Sequence, residues 1–154
     1  MATEIERKFL VEGAAWRHGA EGKRYRQGYL STDKVRTVRV RTIGDAGFLT
    51  IKGETRGISR LEFDYSIPGE EAESMLEALC FEPIIDKTRY RVQVGEHVWE
   101  VDEFHGVNAG LIVAEIELGS EDEAFERPDW LGAEVSDDPR YFNSNLVEHP
   151  YTTW

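Results

Sequence analysis

Carboxylates and cations recur at every second residue along most strand-like segments of this 154-residue chain. Glu4, Glu6 and Lys8 share one face of the first such segment, Glu4 to Val11, because side chains of an extended strand alternate between two faces. Ile5 and Phe9 share the other face. The arrangement returns with Arg39 and Arg41, with Lys52, with Arg60, Glu62 and Asp64, and with Lys87, Arg89 and Arg91. It continues with Glu100 and Asp102, and with Glu115 and Glu117. Each charged row backs onto an apolar one that includes Val38, Val40, Leu49, Ile51, Trp99, Val101, Ile116 and Leu118. Carboxylates at i, i+2 repel each other unless a cation lies between them. Oxygen donors of this kind suit magnesium, which retains waters and can bind phosphate at the same time. Arginine forks match phosphate oxygens two at a time, and lysines add point charges. The chemistry on offer is the joint holding of a divalent cation and a chain of phosphates.

A solvated antiparallel face is also charged, its cross-strand ion pairs worth about 0.2–1 kcal/mol each. The sorting of residue types argues against that explanation. A face built only for water would use Ser, Thr and Gln freely, whereas these segments carry basic doublets and acidic doublets with few neutral residues between them.

The segments that must present these rows are read from alternation. After Glu4–Val11, a mixed stretch from Glu12 to Glu21 around Trp16 suits a short helix over a sheet end. Strands follow at Tyr25–Ser31, Val35–Thr42 and Phe48–Lys52, with Gly44 to Gly47 as a hairpin turn and Gly28 marking a bulge or a ligand's close approach. Beyond the Gly53–Gly57 loop comes a strand at Ser59–Ile67. Pro68–Cys80 reads as a helix, with Ala72, Met75, Leu76 and Leu79 forming one apolar stripe. Strands at Ile84–Val94, His97–Phe104 and Leu111–Leu118 complete a set of eight. Ser120 and Glu123 form a capping box that predicts a helix to about Pro128. From Gly132 the chain is polar and irregular, with Tyr141, Phe142, Leu146, Tyr151 and Trp154 available to pin it down.

Bulk properties narrow the partners. One domain over residues 1–154 is the expectation at this length. A net charge of −12 opposes loose association with nucleic acid or anionic membrane. No apolar run approaches the ~18 residues of a membrane span, and no leader-like segment opens the chain. Cys80 is the only cysteine, which excludes an internal disulfide and fits a reducing cytosol. The histidines at 18, 97, 105 and 149 show no ligand spacing for zinc. If the sheet closes with its charged face inward, both signs of charge line a polar bore, and eight strands suit a barrel of modest diameter.

Aligned in order, Glu4-x-Glu6-x-Lys8, Val38-Arg39-Val40-Arg41, Thr50-Ile51-Lys52-Gly53, Arg60-x-Glu62-x-Asp64, Lys87-x-Arg89, Trp99-Glu100-Val101-Asp102 and Glu115-x-Glu117 resemble the motif series of the CYTH domain superfamily, the triphosphate tunnel metalloenzymes. The match runs from Glu4 to Glu117; the segment after Ser120 is similar to the short bacterial members only loosely. The resemblance implies an α+β fold, an eight-stranded antiparallel closed β-barrel forming a tunnel with helices packed outside. It implies a cytoplasmic, divalent metal-dependent triphosphatase using Mg2+ or Mn2+, in which metal-activated water attacks the terminal phosphorus of tripolyphosphate or an organic triphosphate.

Carried over by motif, the resemblance makes Lys8, Arg39, Arg41, Lys52, Lys87 and Arg89 the phosphate cradle. Glu4, Glu6, Asp102, Glu115 and Glu117 become metal ligands, and Arg60, Glu62, Asp64 and Glu100 a supporting ring. Tyr29 and Lys8 take catalytic roles, Tyr29 in proton transfer near the reacting phosphate. Two departures stand out: Asp64 where many relatives have Glu, and Arg140-Tyr141 as the nearest substitute for a late lysine. A CYTH-type adenylyl cyclase, a thiamine triphosphatase and a non-catalytic polyphosphate binder remain alternatives, with Trp16, Tyr25 and the Gly53–Gly57 loop available to line a tunnel mouth. The substrate is a small molecule, and a homodimer is left open.

Overall fold

In the computed structural model, which describes residues 3–154, the alternating segments become nine strands. They are β1 (Thr3–Val11), β2 (Gly22–Ser31), β3 (Arg36–Ile43), β4 (Ala46–Gly53), β5 (Ser59–Ile67), β6 (Ile85–Val94), β7 (His97–Phe104), β8 (Ile112–Glu117) and β9 (Leu131–Glu134). Hydrogen bonding runs β5-β4-β3-β2-β6-β7-β8-β1, and β1 returns to β5, closing an eight-stranded antiparallel barrel.

Closure is made by few residues. β1 pairs β8 along Glu6–Leu10, but its opposite edge is shared. Thr3, Glu4 and Ile5 face Leu61, Arg60 and Ser59 of β5, after which the strands diverge and Phe9 and Val11 pair with β9 instead. Strand twist makes such a split natural: two neighbours rotate away from each other, and β9 satisfies the edge that β5 leaves. β9 thus lies where the tail, polar from Gly132, is expected to be irregular.

A small barrel normally fills its bore with apolar side chains. Here the apolar rows point outward and are covered from outside. Phe9, Trp99, Val101, Ala114, Ile116 and Leu118 lie under Trp16, Phe125 and Trp130. Trp16 sits in a single 3-10 turn, Ala15–Arg17, as the mixed stretch suggested. On the other side α1 (Gly69–Ala78) places Ala72 and Leu76 against Val40. Its approach is close: a Cβ on Gly28 would lie 2.8 Å from that of Cys80, and one on Gly47 2.8 Å from that of Ala72. Gly28 therefore answers to helix docking rather than to a ligand. Pro68, with ψ of 133°, stands just before the helix, and Leu79 closes it pointing into solvent, so the apolar stripe is one residue shorter than its spacing suggests.

The helix expected over Ser120–Pro128 does not form. The capping box is not made: Glu123 accepts the N–H of Gly119 at 2.7 Å rather than that of Ser120, its other oxygen engages His97, and Ser120 Oγ donates to Asp122 at 2.9 Å. The segment offers one aromatic, Phe125, which stacks on Trp99 and Phe9, and no helical stripe to bury. Staying irregular lets it cover the wall. The tail after β9 carries α2 (Asn143–Glu148), whose Leu146 and Val147 pack on Ile85, Phe104 and Val113. Leu61, Phe63 and Tyr65, the outer row of β5, remain exposed with Ile51 of β4.

Candidate functional site

The barrel encloses a cavity of about 360 Å3 to which all eight of its strands contribute side chains. This size is ordinary for a small-molecule site. The alternation that sends Phe9, Val40 and Trp99 outward sends their neighbours inward, and cross-strand register sorts those neighbours by charge.

Carboxylates gather where β1 meets β8 and β5. Glu6 lies opposite Glu117, and Glu115 lies opposite both Lys8 and Glu100. Burial, then the charge of Glu115 and a hydrogen bond with it, raise the Glu6 carboxyl well above its ordinary range. Burial opposes ionisation of Glu115 too, but Lys8, the Glu6 hydrogen bond and Arg89 hold it well below. One proton is thus shared between the two. A second pair repeats the pattern: burial would raise Glu4, yet Lys52 and a hydrogen bond from Glu62 lower it, whereas burial and that same bond raise Glu62. Lys52 bridges the pair, 3.2 Å from Glu4 and 3.1 Å from Glu62. Arg60 stands 3.8 Å from Glu4. Glu117 is raised by burial and by the charges of Glu4, Glu62 and Glu100.

Cations gather on β2's two neighbours, Arg39 and Arg41 on β3 and Lys87 and Arg89 on β6, and Lys8 joins them from β1. Arg89 is the best anchored: Asp102 accepts its Nε at 2.7 Å and Nη2 at 2.9 Å, and Glu100 lies 3.3 Å away. Lys87 Nζ donates to Asp102 at 2.8 Å, though burial still pushes its pKa down to about 8. Arg39 makes one side-chain hydrogen bond, to Thr50 Oγ1 at 3.2 Å, and the Thr50 hydroxyl in turn donates a hydrogen bond to Asp64 at 2.6 Å. Arg41 has only Asp64, at 3.9 Å, and burial with the charges of Arg39 and Arg89 lowers it to about 10.

The cradle residues expected from the motifs all line this cavity, as do Glu4, Glu6, Glu62, Glu100, Glu115, Glu117, Arg60 and Tyr29. Asp64 and Asp102 do not; each stands behind basic side chains and accepts from them or from their partner. Both Asp102 oxygens are occupied by Lys87 and Arg89. Tyr29 is buried, receives a long 3.4 Å bond from Gln27, and is kept protonated as burial raises its pKa. Arg140 pairs with Asp138 on the surface, away from the cavity.

Motif reading missed the tail. Ser136, Phe142, Asn143 and Ser144 line the cavity beside Lys8 and Lys87. Lys8 Nζ donates to the Tyr141 carbonyl at 3.0 Å and lies over the Phe142 ring, while Lys87 donates to Asn143 at 3.3 Å. The one advance signal was the aromatic content of an otherwise polar segment.

The donors suit a polyanion and a cation together. Arg39 Nε and Arg41 Nε are buried with no hydrogen-bond partner in the protein, as is Glu115 Oε1. Buried donors left unpaired cost about 1–3 kcal/mol each, which phosphate oxygens would recover. Among the described residues no three acidic or imidazole side chains form a metal cage by themselves. The proton-sharing carboxyl pairs instead suit an ion that draws part of its shell from water and substrate oxygens.

Comparison with known proteins points the same way. The CYTH domain profile matches residues 2–151. An inorganic triphosphatase of Acetivibrio thermocellus is 55% identical over 151 residues, spanning 98% of this chain and 97% of that protein. An inorganic triphosphatase of Nitrosomonas europaea is 39% identical, spanning 94% and 97%. The crystal structure of an inorganic triphosphatase superposes with a TM-score of 0.67 at 35% identity, covering 93% of this chain and 96% of that one.

Proposed function

The chain belongs to the CYTH domain family, and on that premise we propose that it hydrolyses inorganic tripolyphosphate inside the barrel, releasing orthophosphate. The observation that carries this reading is the pair of buried arginine donors, Arg39 Nε and Arg41 Nε, lacking acceptors in a cavity that also holds proton-sharing carboxyl pairs. The names of the two similar bacterial proteins support the same substrate class.

Glu4, Glu6, Glu115 and Glu117 would hold a divalent cation, Mg2+ or Mn2+. When bound, the cation neutralises phosphate charge and acidifies the attacking water. Lys8, Arg39, Arg41, Lys52, Lys87 and Arg89 grip successive phosphates and offset charge that accumulates on the leaving oxygens. Glu115, held ionised beside Glu6, offers a carboxylate to which the proton that the water gives up can pass. Tyr29, held as a neutral phenol, donates a hydrogen bond at the reacting phosphate. Asp102 serves this reading as the anchor of Lys87 and Arg89. The lone cysteine, Cys80, agrees with a cytoplasmic setting.

The test is product analysis with Mg2+ or Mn2+ and tripolyphosphate, ATP or thiamine triphosphate. Tripolyphosphate should give orthophosphate fastest, chelator should abolish release, and Lys8→Ala should lower turnover far more than it lowers folding stability. Tight binding without any product would make the protein a binder, and cyclic AMP from ATP a cyclase; either result overturns the proposal.

A further inference from the structure

Tyr25 lies on β2, midway between the two strands that carry the cradle arginines. It pairs with Ile43 of β3 on one side and with Lys87 of β6 on the other. Its ring faces the cavity, half-buried. The Arg41 guanidinium carbon lies 5.5 Å from the ring centroid and that of Arg89 lies 5.0 Å from it. One aromatic ring thus serves two cations from opposite neighbouring strands.

The need for such a device falls unequally on the two arginines. Arg89 is tied by both oxygens of Asp102. Arg41 has a single distant carboxylate at 3.9 Å and a buried Nε with no partner, and it feels repulsion from Arg39 and Arg89. Apart from Asp64, the groups that can attract Arg41 are aromatic: Tyr25 and, at 5.7 Å, Phe48. An aromatic face attracts a guanidinium without neutralising it or occupying its donors. A carboxylate in the same position would hold Arg41 more tightly, but would compete with phosphate for its N–H groups.

We propose that Tyr25 is a positioning residue, whose ring holds Arg41 beside Arg89 with their donors free for adjacent phosphates. This rests on the triphosphatase reading only for the identity of the ligand. The placement of Arg41 by the ring is a property of the protein alone.

The experiment therefore has two readouts. In substrate-free protein, side-chain 15N relaxation at Arg41 Nε should report an ordered guanidinium, and Tyr25→Leu should release it, while Tyr25→Phe should keep it ordered. In tripolyphosphate hydrolysis, Tyr25→Leu should raise KM about tenfold with a smaller change in kcat, and Tyr25→Phe should stay within about twofold of the parent. In an Arg41→Ala background the Tyr25→Leu change should add little, because its route of action is gone. Unchanged order at Arg41 in Tyr25→Leu overturns the proposal whatever the protein hydrolyses. So do fully additive effects in the double variant, or a Tyr25→Phe as impaired as Tyr25→Leu. Loss of order at Arg41 in a protein inert toward every triphosphate would leave the ring's role standing and refute the triphosphatase reading instead.

Discussion

Asp102→Asn separates two roles that the same carboxylate was offered. The motif series made it a metal ligand, whereas the structure places it, fully buried, under three donor contacts: Lys87 Nζ at 2.8 Å, Arg89 Nε at 2.7 Å and Arg89 Nη2 at 2.9 Å. Asparagine keeps the shape, removes the charge and turns one acceptor into a donor that faces another donor. Breaking a buried pair by removing one partner costs about 3–5 kcal/mol. That is a large share of the ~5–15 kcal/mol typical of a domain, and with a urea slope of about 1–3 kcal/mol/M it lowers the midpoint by roughly 1–5 M. The pH dependence has a definite sign. Although burial opposes it, attraction to Arg89 and Lys87 lowers the folded pKa of Asp102, so its stabilisation is present above the ordinary carboxylate pKa of about 4 and is lost as pH falls through the lower folded value. The difference between parent and variant should therefore narrow in acid. In activity assays the variant should show a KM for tripolyphosphate raised by about tenfold or more, as Arg89 loses its tether, with the half-saturating Mg2+ concentration unchanged. An unfolding free energy within about 0.5 kcal/mol of the parent, or a raised Mg2+ requirement at unaltered KM, would refute the anchor assignment and restore the metal-ligand one.

Three further outcomes are expected. Thr50→Val removes the hydroxyl that accepts from Arg39 and donates to Asp64; a bond to a charged group is worth about 1.5–3 kcal/mol, so steady-state kinetics should show KM raised about ten- to a hundredfold. For Glu6, whose folded pKa is raised chiefly by burial and by Glu115, the folded state binds the proton more tightly, so metal-free stability falls as pH rises from the ordinary carboxylate range. Glu6→Gln should flatten that decline in thermal melts while abolishing metal-dependent turnover. Tyr29→Phe loses only a long bond from Gln27, so its melting temperature should shift by a few degrees at most, whereas kcat should fall about tenfold if the phenol donates at the reacting phosphate.

How much was legible in advance follows from the range over which each interaction acts. Alternation is local, and it separated Arg39 and Arg41 from Val38 and Val40, and Glu4, Glu6 and Lys8 from Ile5 and Phe9, so inward and outward faces of the barrel could be read residue by residue. The Ser120 to Glu123 signal was local too, yet it misled, because Phe125 gains more by stacking on Trp99 than a stripe-less helix could return. Neither β9 nor the docking of Phe142 and Asn143 beside Lys8 and Lys87 had a periodic signature, since each depends on an edge or a surface supplied by distant parts of the chain.

The sequence by itself determined which side chains carry charge, which face of each strand they occupy and that eight such strands exist, because these follow from residue type and a two-residue period. Only the tertiary structure decided which charges meet. Cross-strand register set Glu115 opposite Lys8 and drew Asp102 beneath Lys87 and Arg89; in the shared bore burial then raised Glu6 and Glu62, while against that same burial the nearby cations and hydrogen bonds lowered Glu115 and Glu4. Electrostatic energy depends on distance and on the exclusion of water, and neither is written along the chain.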